Sequence, residues 1–211
     1  MNRQQFNTEK LDEGCTELGI ELDSEQKEKI ITHLETLAKW NKTLNLTAIT
    51  DMEQMIIQHA LDSLAVYPFI KPGRLLDIGT GGGFPGLPLA ILYPELEVTL
   101  LDTRGRRVEF LRNVCLKLGL RNVSLVNSRV EDYRPTQKFD TLTTRAFSSM
   151  SDMLKWTTAL QHPGCRLAAL KGKMPVEEID SLLPDVQRSV RVERILVPFL
   201  RAQRHLILID F

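Results

Sequence analysis

This chain of 211 residues has no long apolar run. Its longest stretch without charge, Ile78 to Pro94, is too short for a bilayer-spanning helix and is broken by Gly79, Gly81, Gly82, Gly83, Gly86, Pro85 and Pro88, which excludes a membrane span. The opening residues Met1 to Lys10 contain no apolar core, so no secretory signal is expected. Cysteine is scarce: Cys15, Cys115 and Cys165 are far apart and odd in number. That argues against a disulfide framework and against a metal cluster, and fits a reduced, cytoplasmic protein. Excess charge is missing as well. The 27 Lys+Arg balance 27 Asp+Glu, which at first sight discourages a nucleic-acid partner.

What the chain does have is an ordinary globular composition, 43% hydrophobic and 26% charged, enough for one domain with a small appendage. The zero net charge is a cancellation. Residues 1–72 carry 7 basic and 12 acidic side chains, whereas 73–211 carry 20 and 15. The stretch 101–145 alone has 10 basic against 5 acidic, which accounts for the whole positive excess.

The spacing divides the chain at the same place. In 1–72, Asp23 or Ser24 caps a helix with Ile30, Ile31, Leu34, Leu37 and Trp40 on one face. Asp51 with Gln54 resembles a capping box opening a second helix, with Met52, Met55, Ile56, Ala60 and Leu64 inward. Pro68, Pro72 and Gly73 then mark a boundary. From Arg74 onward, strand-length apolar runs (75–78, 98–101, 123–126, 142–144, 167–170, 190–197 and 205–211) follow one another. Helical stretches at 87–93, 106–118 and 151–160 separate the early ones, and Gly119 is a helix stop. The expectation is an α/β Rossmann-like fold: a helical extension over 1–72, then over 73–211 a seven-stranded, mostly parallel sheet with helices on both faces and a final antiparallel addition.

The strongest local signal is Asp77-Ile78-Gly79-Thr80-Gly81-Gly82-Gly83-Phe84-Pro85-Gly86, which leaves a strand and enters a helix. Glycines let the backbone approach a ligand, and the helix start offers free N–H groups. Gly81, Gly83 and Gly86 satisfy a dinucleotide spacing; Asp77, Gly79, Gly81 and Gly83 satisfy the looser pattern of S-adenosylmethionine sites. A carboxylate at Asp77 would repel a pyrophosphate and suits the cationic centres of the methyl donor, which is therefore favoured. Asp102, 19 positions after Gly83, ends the next strand and is placed to accept ribose hydroxyls of either ligand. Val130 and Glu131 follow the third strand, where a ligand's adenine would lie.

The fourth strand ends in Arg145, where an amine methyltransferase often has an Asn-Pro-Pro-Tyr type loop. A guanidinium fork there suits a carboxylate, a phosphate or the O6 and N7 edge of guanine, or it is simply a surface arginine. Lys171 ends the fifth strand on the same rim. His59, Asp62 and Ser63 share one helical face and read equally as a structural polar cluster or as substrate contacts; Asn41 and Asn45 read the same way, and Trp40 as core.

These segments together resemble the ribosomal RNA small subunit methyltransferase G family, the glucose-inhibited division protein B group, over about Leu37 to Phe211. The resemblance rests on Trp40-Asn41-Lys42, Asn45-Leu46-Thr47, His59 with Leu61-Asp62-Ser63, Asp77 to Gly86, Leu101-Asp102, Ser128 to Glu131, Arg145-Ala146-Phe147, Leu170-Lys171-Gly172 and Arg204-His205-Leu206. It implies S-adenosylmethionine as cofactor, with contacts on Gly79, Phe84, Val130, Glu131 and Arg145. It also implies methylation at N7 of a single guanine, position 527, in the 530 loop of 16S rRNA. N7 carries no proton, so in-line transfer needs no general base, and Arg145 would act by positioning. Arg104, Arg106, Arg107, Arg129, Arg134 and Lys171 would then contact RNA phosphates of free 16S rRNA, a 30S subunit or an assembly intermediate. A monomer is expected. Two other readings remain from the residues alone: a small NAD-dependent reductase, which lacks a Tyr-x-x-x-Lys pair after the sheet, and a non-catalytic adenine-nucleotide-binding module.

Overall fold

The computed structural model describes residues 3–145 and 149–211, with backbone alone for 3–7. Ala146 and Phe147, part of the resemblance above, lie outside the described residues. The lead-in is helical. Helix α1 spans Arg3–Glu17 and α2 Ser24–Leu44. Asp23 caps α2 in a reciprocal box with Gln26: its side chain accepts the Gln26 backbone N–H while the Gln26 side-chain Oε1 accepts the Asp23 N–H. The second predicted helix is really three consecutive segments: α3 (Met52–Met55, capped by Asp51), a π-helical stretch Ile56–Leu61, and α4 (Asp62–Leu64). π-helical turns are rare and recur at functional sites. This one carries Gln58 and His59.

The sheet has strands β1 (Arg74–Ile78), β2 (Glu97–Asp102), β3 (Val123–Asn127), β4 (Thr141–Arg145), β5 (Arg166–Lys171), β6 (Val190–Arg194) and β7 (His205–Asp210). Their order is β3-β2-β1-β4-β5-β7-β6. β1 to β5 are parallel, and β7 runs antiparallel between β5 and β6. Helices α5 (Gly86–Leu92), α6 (Gly105–Leu118) and α7 (Met150–Trp156) make three of the parallel crossovers, with Gly119 closing α6 at φ 64°, while β3 crosses to β4 through a 3-10 turn at Val130–Asp132. Two short helices that the spacing did not suggest, α8 (Val176–Asp180) and α9 (Pro184–Arg188), precede β6.

Burial explains the layers. Leu34 and Leu37 of α2 join Leu61, Leu87, Phe110, Leu111 and Leu208 in one core, so the lead-in helices pack directly against α5 and α6 on one sheet face. Leu76, Ile78, Leu142, Leu167 and Ile207 bury the other face against Met150 and Met153 of α7. Gln26 also donates its amide to the last carbonyls of α5, Ile91 and Leu92, tying α2 to the helix that follows the glycine loop. The sheet order reverses between β1 and β4, and in open α/β sheets ligands bind beyond the carboxyl ends of the strands at such a switch. Both Gly79 and Arg145 stand there.

Candidate functional site

The glycine loop is built around Asp77. The carboxylate is fully buried, and its Oδ2 accepts the Thr80 hydroxyl at 2.6 Å and the Gly86 N–H at 2.9 Å. Burial raises its pKa to about 6, against the lowering effect of those hydrogen bonds and of Arg145. Asp77 is thus set back behind the loop and shapes it; it is not among the residues lining the neighbouring cleft. Backbone bonds from Gly79 and Thr80 to the Leu101 carbonyl fix the loop against β2. Gly83 has φ 92°, and a Cβ there would collide with Leu87, so this position requires glycine.

In front of the loop lies a cleft of about 370 Å³ lined by Gly79, Asp102, Arg104, Arg107, Arg129, Val130, Glu131, Arg145 and Trp156 among others. Asp102 is its anchor. Its Oδ2 accepts the Gly81 N–H at 3.0 Å and faces Arg107 Nη1 at 3.3 Å, while Oδ1 accepts the Arg104 N–H at 2.9 Å. Asn127 donates to the Asp102 carbonyl, so the end of β3 steadies the end of β2. Val130 and Glu131 stand in a 3-10 turn after β3, on the opposite wall.

A second cleft, about 420 Å³, opens on the other side of Arg145 and is lined by Ile49, Gln58, His59, Asp62, Arg145, Leu170, Lys171, Gly172 and Arg204. Arg145 lines both. Its Nη1 donates to the Gln58 carbonyl at 2.9 Å and to Asp62 Oδ2 at 3.3 Å; its Nη2 meets His59 Nδ1 at 3.2 Å. Burial presses the pKa of the guanidinium down and the Asp62 carboxylate opposes it. Asp62, only 2% exposed, holds Arg204 Nε on its other oxygen at 2.8 Å. His59 is neutral: burial, then the neighbouring Arg145, lower its pKa to about 3. Its Nδ1 lies 3.2 Å from Arg145 Nη2 and 3.1 Å from the Gln58 carbonyl, and its Nε2 lies 2.9 Å from Thr47 Oγ1, so both ring nitrogens are engaged. Thr47 is itself clamped by Asn41 through its N–H and carbonyl, which explains the Trp-Asn-Lys and Asn-Leu-Thr segments as a support for His59. Trp40 packs edge-on against Phe110.

Phe84 joins the two halves. Its ring is stacked between His33 and His59 with centroids 4.7 Å away on each side, and the Arg145 guanidinium lies 5.1 Å over it. Phe84 is buried and does not line the cleft before Gly79. His33, which the spacing assigned no role, is fully buried and bonds the Gly82 carbonyl at 2.8 Å. A carbonyl can only accept, so Nε2 carries the proton, and burial, lowering the pKa to about 4, keeps the ring neutral. A histidine among apolar neighbours on a helix face gives no distinct signal in sequence.

The arginines of 101–145 are not one basic face. Arg107 turns onto Asp102, Arg129 Nη1 reaches Glu131 at 3.3 Å, Arg134 donates to the carbonyls of Glu131 and Tyr133, and Arg145 points inward. Arg104 and Arg106 remain exposed. Lys171 is paired with Glu178 at 2.9 Å. Among the described residues no group of His, Cys, Asp and Glu is arranged to hold a metal, and no helix is long and apolar enough to cross a membrane.

Comparison with known proteins agrees with this architecture. The family model "rRNA small subunit methyltransferase G", GidB, matches residues 26–207. The chain is 44% identical over 211 residues to Ribosomal RNA small subunit methyltransferase G of Ectopseudomonas mendocina, covering 99% of this chain and 98% of that protein. It is 43% identical over 206 residues to the protein of the same name from Pseudomonas aeruginosa, covering 97% and 96%. Among solved structures, a precorrin-6y C5,15-methyltransferase from Geobacter metallireducens superposes with TM-score 0.55 at 13% identity, covering 80% of this chain and 92% of that one. M. capricolum TrmK, solved with S-adenosyl-homocysteine, gives TM-score 0.55 at 13% identity, covering 71% and 67%. At such identities the likeness is one of fold, the class I methyltransferase sheet. The chain belongs to the rRNA small subunit methyltransferase G (GidB) family of S-adenosylmethionine-dependent methyltransferases.

Proposed function

We propose that this chain methylates N7 of one guanine, position 527 in the 530 loop of 16S rRNA, with the donor in the cleft before Gly79 and the base in the cleft before Arg204. The observation that carries this reading is Arg145, which lines both clefts and so ties the two sites together. S-adenosylmethionine, when bound, supplies an electrophilic methyl group on a sulfonium.

The residues present fit that donor. Asp102 offers buried carboxylate oxygens at the cleft's edge, suited to a ribose diol, and a Cβ at Gly81 would meet nothing closer than 3.8 Å, so the wall there is open backbone. Gly79, Val130 and Glu131 would complete the holding surface, with Asp77, Gly83 and Phe84 acting from behind it. The acceptor side fits a nucleophile that has no proton to lose. Both Asp62 oxygens are taken by arginines, and His59 is neutral with both ring nitrogens engaged. Neither is free to act as a general base, and guanine N7 requires none. Arg145 and Arg204 present cationic donors near this cleft, matching the O6 acceptor of guanine and leaving the N7 lone pair free to attack the methyl group. Catalysis is then positioning and electrostatic handling of charge that moves onto the purine.

N7 lies in the deep major groove of paired RNA, so the target must be unstacked, in a loop of free rRNA, a 30S subunit or an assembly intermediate. Family membership leaves the nicotinamide-reductase and non-catalytic readings without a supporting observation. The test is transfer of a labelled methyl group to 16S rRNA in 30S subunits from a strain lacking this enzyme, followed by mass and position of the modified nucleotide. A methyl group at any atom but guanine N7 overturns the assignment.

A further inference from the structure

The acceptor-side cleft has its own basic rim, separate from the arginine-rich stretch at 101–145. Two loops make it. One joins β5 to α8 and contains Gly172, which lines the cleft, followed by Lys173. The other is the β6–β7 connection, residues 195–204, which ends in the cleft residue Arg204 and contains Arg201. The first residue of β7, directly after the second loop, reaches the first: His205 Nδ1 lies 3.1 Å from the Gly172 carbonyl. Register places Lys171 opposite His205 and His205 opposite Arg194, so these basic side chains stand in one row on one sheet face.

The rim is polarised in sequence. No acidic residue lies between Glu193 and Asp210, nor between Asp152 and Glu177. Lys173, Arg194 and Arg201 are exposed and make no ion pair among the described residues. The β6–β7 connection is also held in shape. Phe199 adopts φ 65°, unusual for a bulky side chain, and Lys10 of α1 sits 3.5 Å over its ring. Leu196 of the same loop is 74% exposed and Phe199 38%, apolar surface beside free cations. A single strand whose base enters a cleft keeps its flanking phosphates at the mouth of that cleft, and unpaired bases stack on apolar and aromatic surface.

We propose that the RNA backbone flanking the target base runs over this rim, with Lys173, Arg194 and Arg201 as its phosphate contacts, and not along the arginines of 101–145. Four of those eight arginines, Arg107, Arg129, Arg134 and Arg145, are turned onto Asp102, Glu131, backbone carbonyls and Asp62. The proposal rests on the functional reading above and specifies its RNA-binding face.

The test compares two full-length triple variants binding 16S rRNA over a salt series. Lys173→Glu with Arg194→Glu and Arg201→Glu should flatten the slope of log affinity against log salt by about 2, at roughly 0.7 per lost single-strand phosphate contact. Arg106→Glu with Arg112→Glu and Arg121→Glu should change it by less than about 0.7. Thermal midpoint and S-adenosylhomocysteine affinity serve as folding controls, and alanine versions replace any variant that fails them. A wild-type slope in the rim variant, or a larger loss in the reference variant, overturns the proposal. Wild-type protein that neither binds nor methylates rRNA overturns the functional reading itself, which is a separate result.

Discussion

Arg145 and Arg204 share one buried carboxylate: Asp62 Oδ2 lies 3.3 Å from Arg145 Nη1, and Oδ1 lies 2.8 Å from Arg204 Nε. The two arginines come from β4 and from the loop before β7, and Asp62 comes from the lead-in helices, so three parts of the chain meet on two oxygens. Asp62→Asn keeps the shape and removes the charge. Removing one partner of a buried pair costs about 3–5 kcal/mol; with the arginine side chains about one-fifth exposed, a loss of roughly 2–3 kcal/mol is expected. Urea denaturation measures it. Methyl transfer should fall at least tenfold under conditions where the variant is folded, because both donors lose their orientation. Turnover within twofold of wild type would show that the ion pair serves folding alone.

The pH dependence of stability has a determinable sign. His33 and His59 have folded pKa values near 4 and 3 against an ordinary 6.5, so the unfolded chain binds two more protons between those limits. Their stabilising contribution is present above 6.5 and is lost as pH falls. Asp77 acts oppositely. Raised to about 6 from 3.8, it favours the folded state at low pH and loses that contribution as pH rises through 6. Near pH 5 the two histidines outweigh the one aspartate by about one proton, so stability should rise with pH by about 1.4 kcal/mol per unit. His33→Gln retains a donor for the Gly82 carbonyl and removes one titration. The slope near pH 5 should then vanish, and a slope unchanged from wild type would mean that His33 is not held neutral.

Gly86→Ala sets two effects against each other. Alanine favours a helix by about 1 kcal/mol over glycine. Its Cβ, however, would collide with the Leu100 side chain and lie 2.8 Å from Asp77 Oδ2. Both neighbours are fully buried, so overpacking at about 1–3 kcal/mol should win. The expected result is a lower thermal midpoint together with weaker S-adenosylhomocysteine binding, since Asp77 shapes the loop. A more stable variant with unchanged binding would show that the close contact relaxes freely.

How much of this was legible beforehand follows from the kind of signal each part leaves. The seven strands, the helix stop at Gly119 and the cap at Asp23 are local matters of periodicity and capping, and the structure has them where the spacing puts them. The glycine loop is legible because backbone geometry limits the residue type. Side-chain destinations were not. Asp77 reads as a ligand contact; in the fold its Oδ2 is turned onto Thr80 and Gly86, while its Oδ1 is buried without a partner among the described residues. Arg107 and Arg129 read as free cations, but each has an acid within 3.3 Å; the partners are only five and two positions away, and it is the turn of the backbone that makes them meet. The π-helical turn at 56–61 left no mark, because nearly every residue from Met55 to Leu64 is buried and no helical period stands out. His33 and Arg204 depend on contacts 49 and 142 positions away, and no local pattern encodes those.

Asp102 offers the sharpest test of the donor side. Its two oxygens accept from the Gly81 N–H, the Arg104 N–H and Arg107, an all-donor environment that an amide cannot match. In Asp102→Asn, one end of the side chain becomes a donor facing another donor, which costs about 1–3 kcal/mol at a buried site. S-adenosylhomocysteine affinity should fall at least tenfold by calorimetry, because the same oxygens would receive the ribose hydroxyls. Arg107→Ala separates the two roles. The Arg107 pair at 3.3 Å is partly exposed and worth under about 1 kcal/mol, so its removal should leave affinity within about fivefold of wild type. If Arg107→Ala weakened the ligand as strongly as Asp102→Asn, Arg107 itself would be a donor-site contact. If Asp102→Asn left affinity unchanged, the donor would have to lie elsewhere than in the cleft beside Gly79.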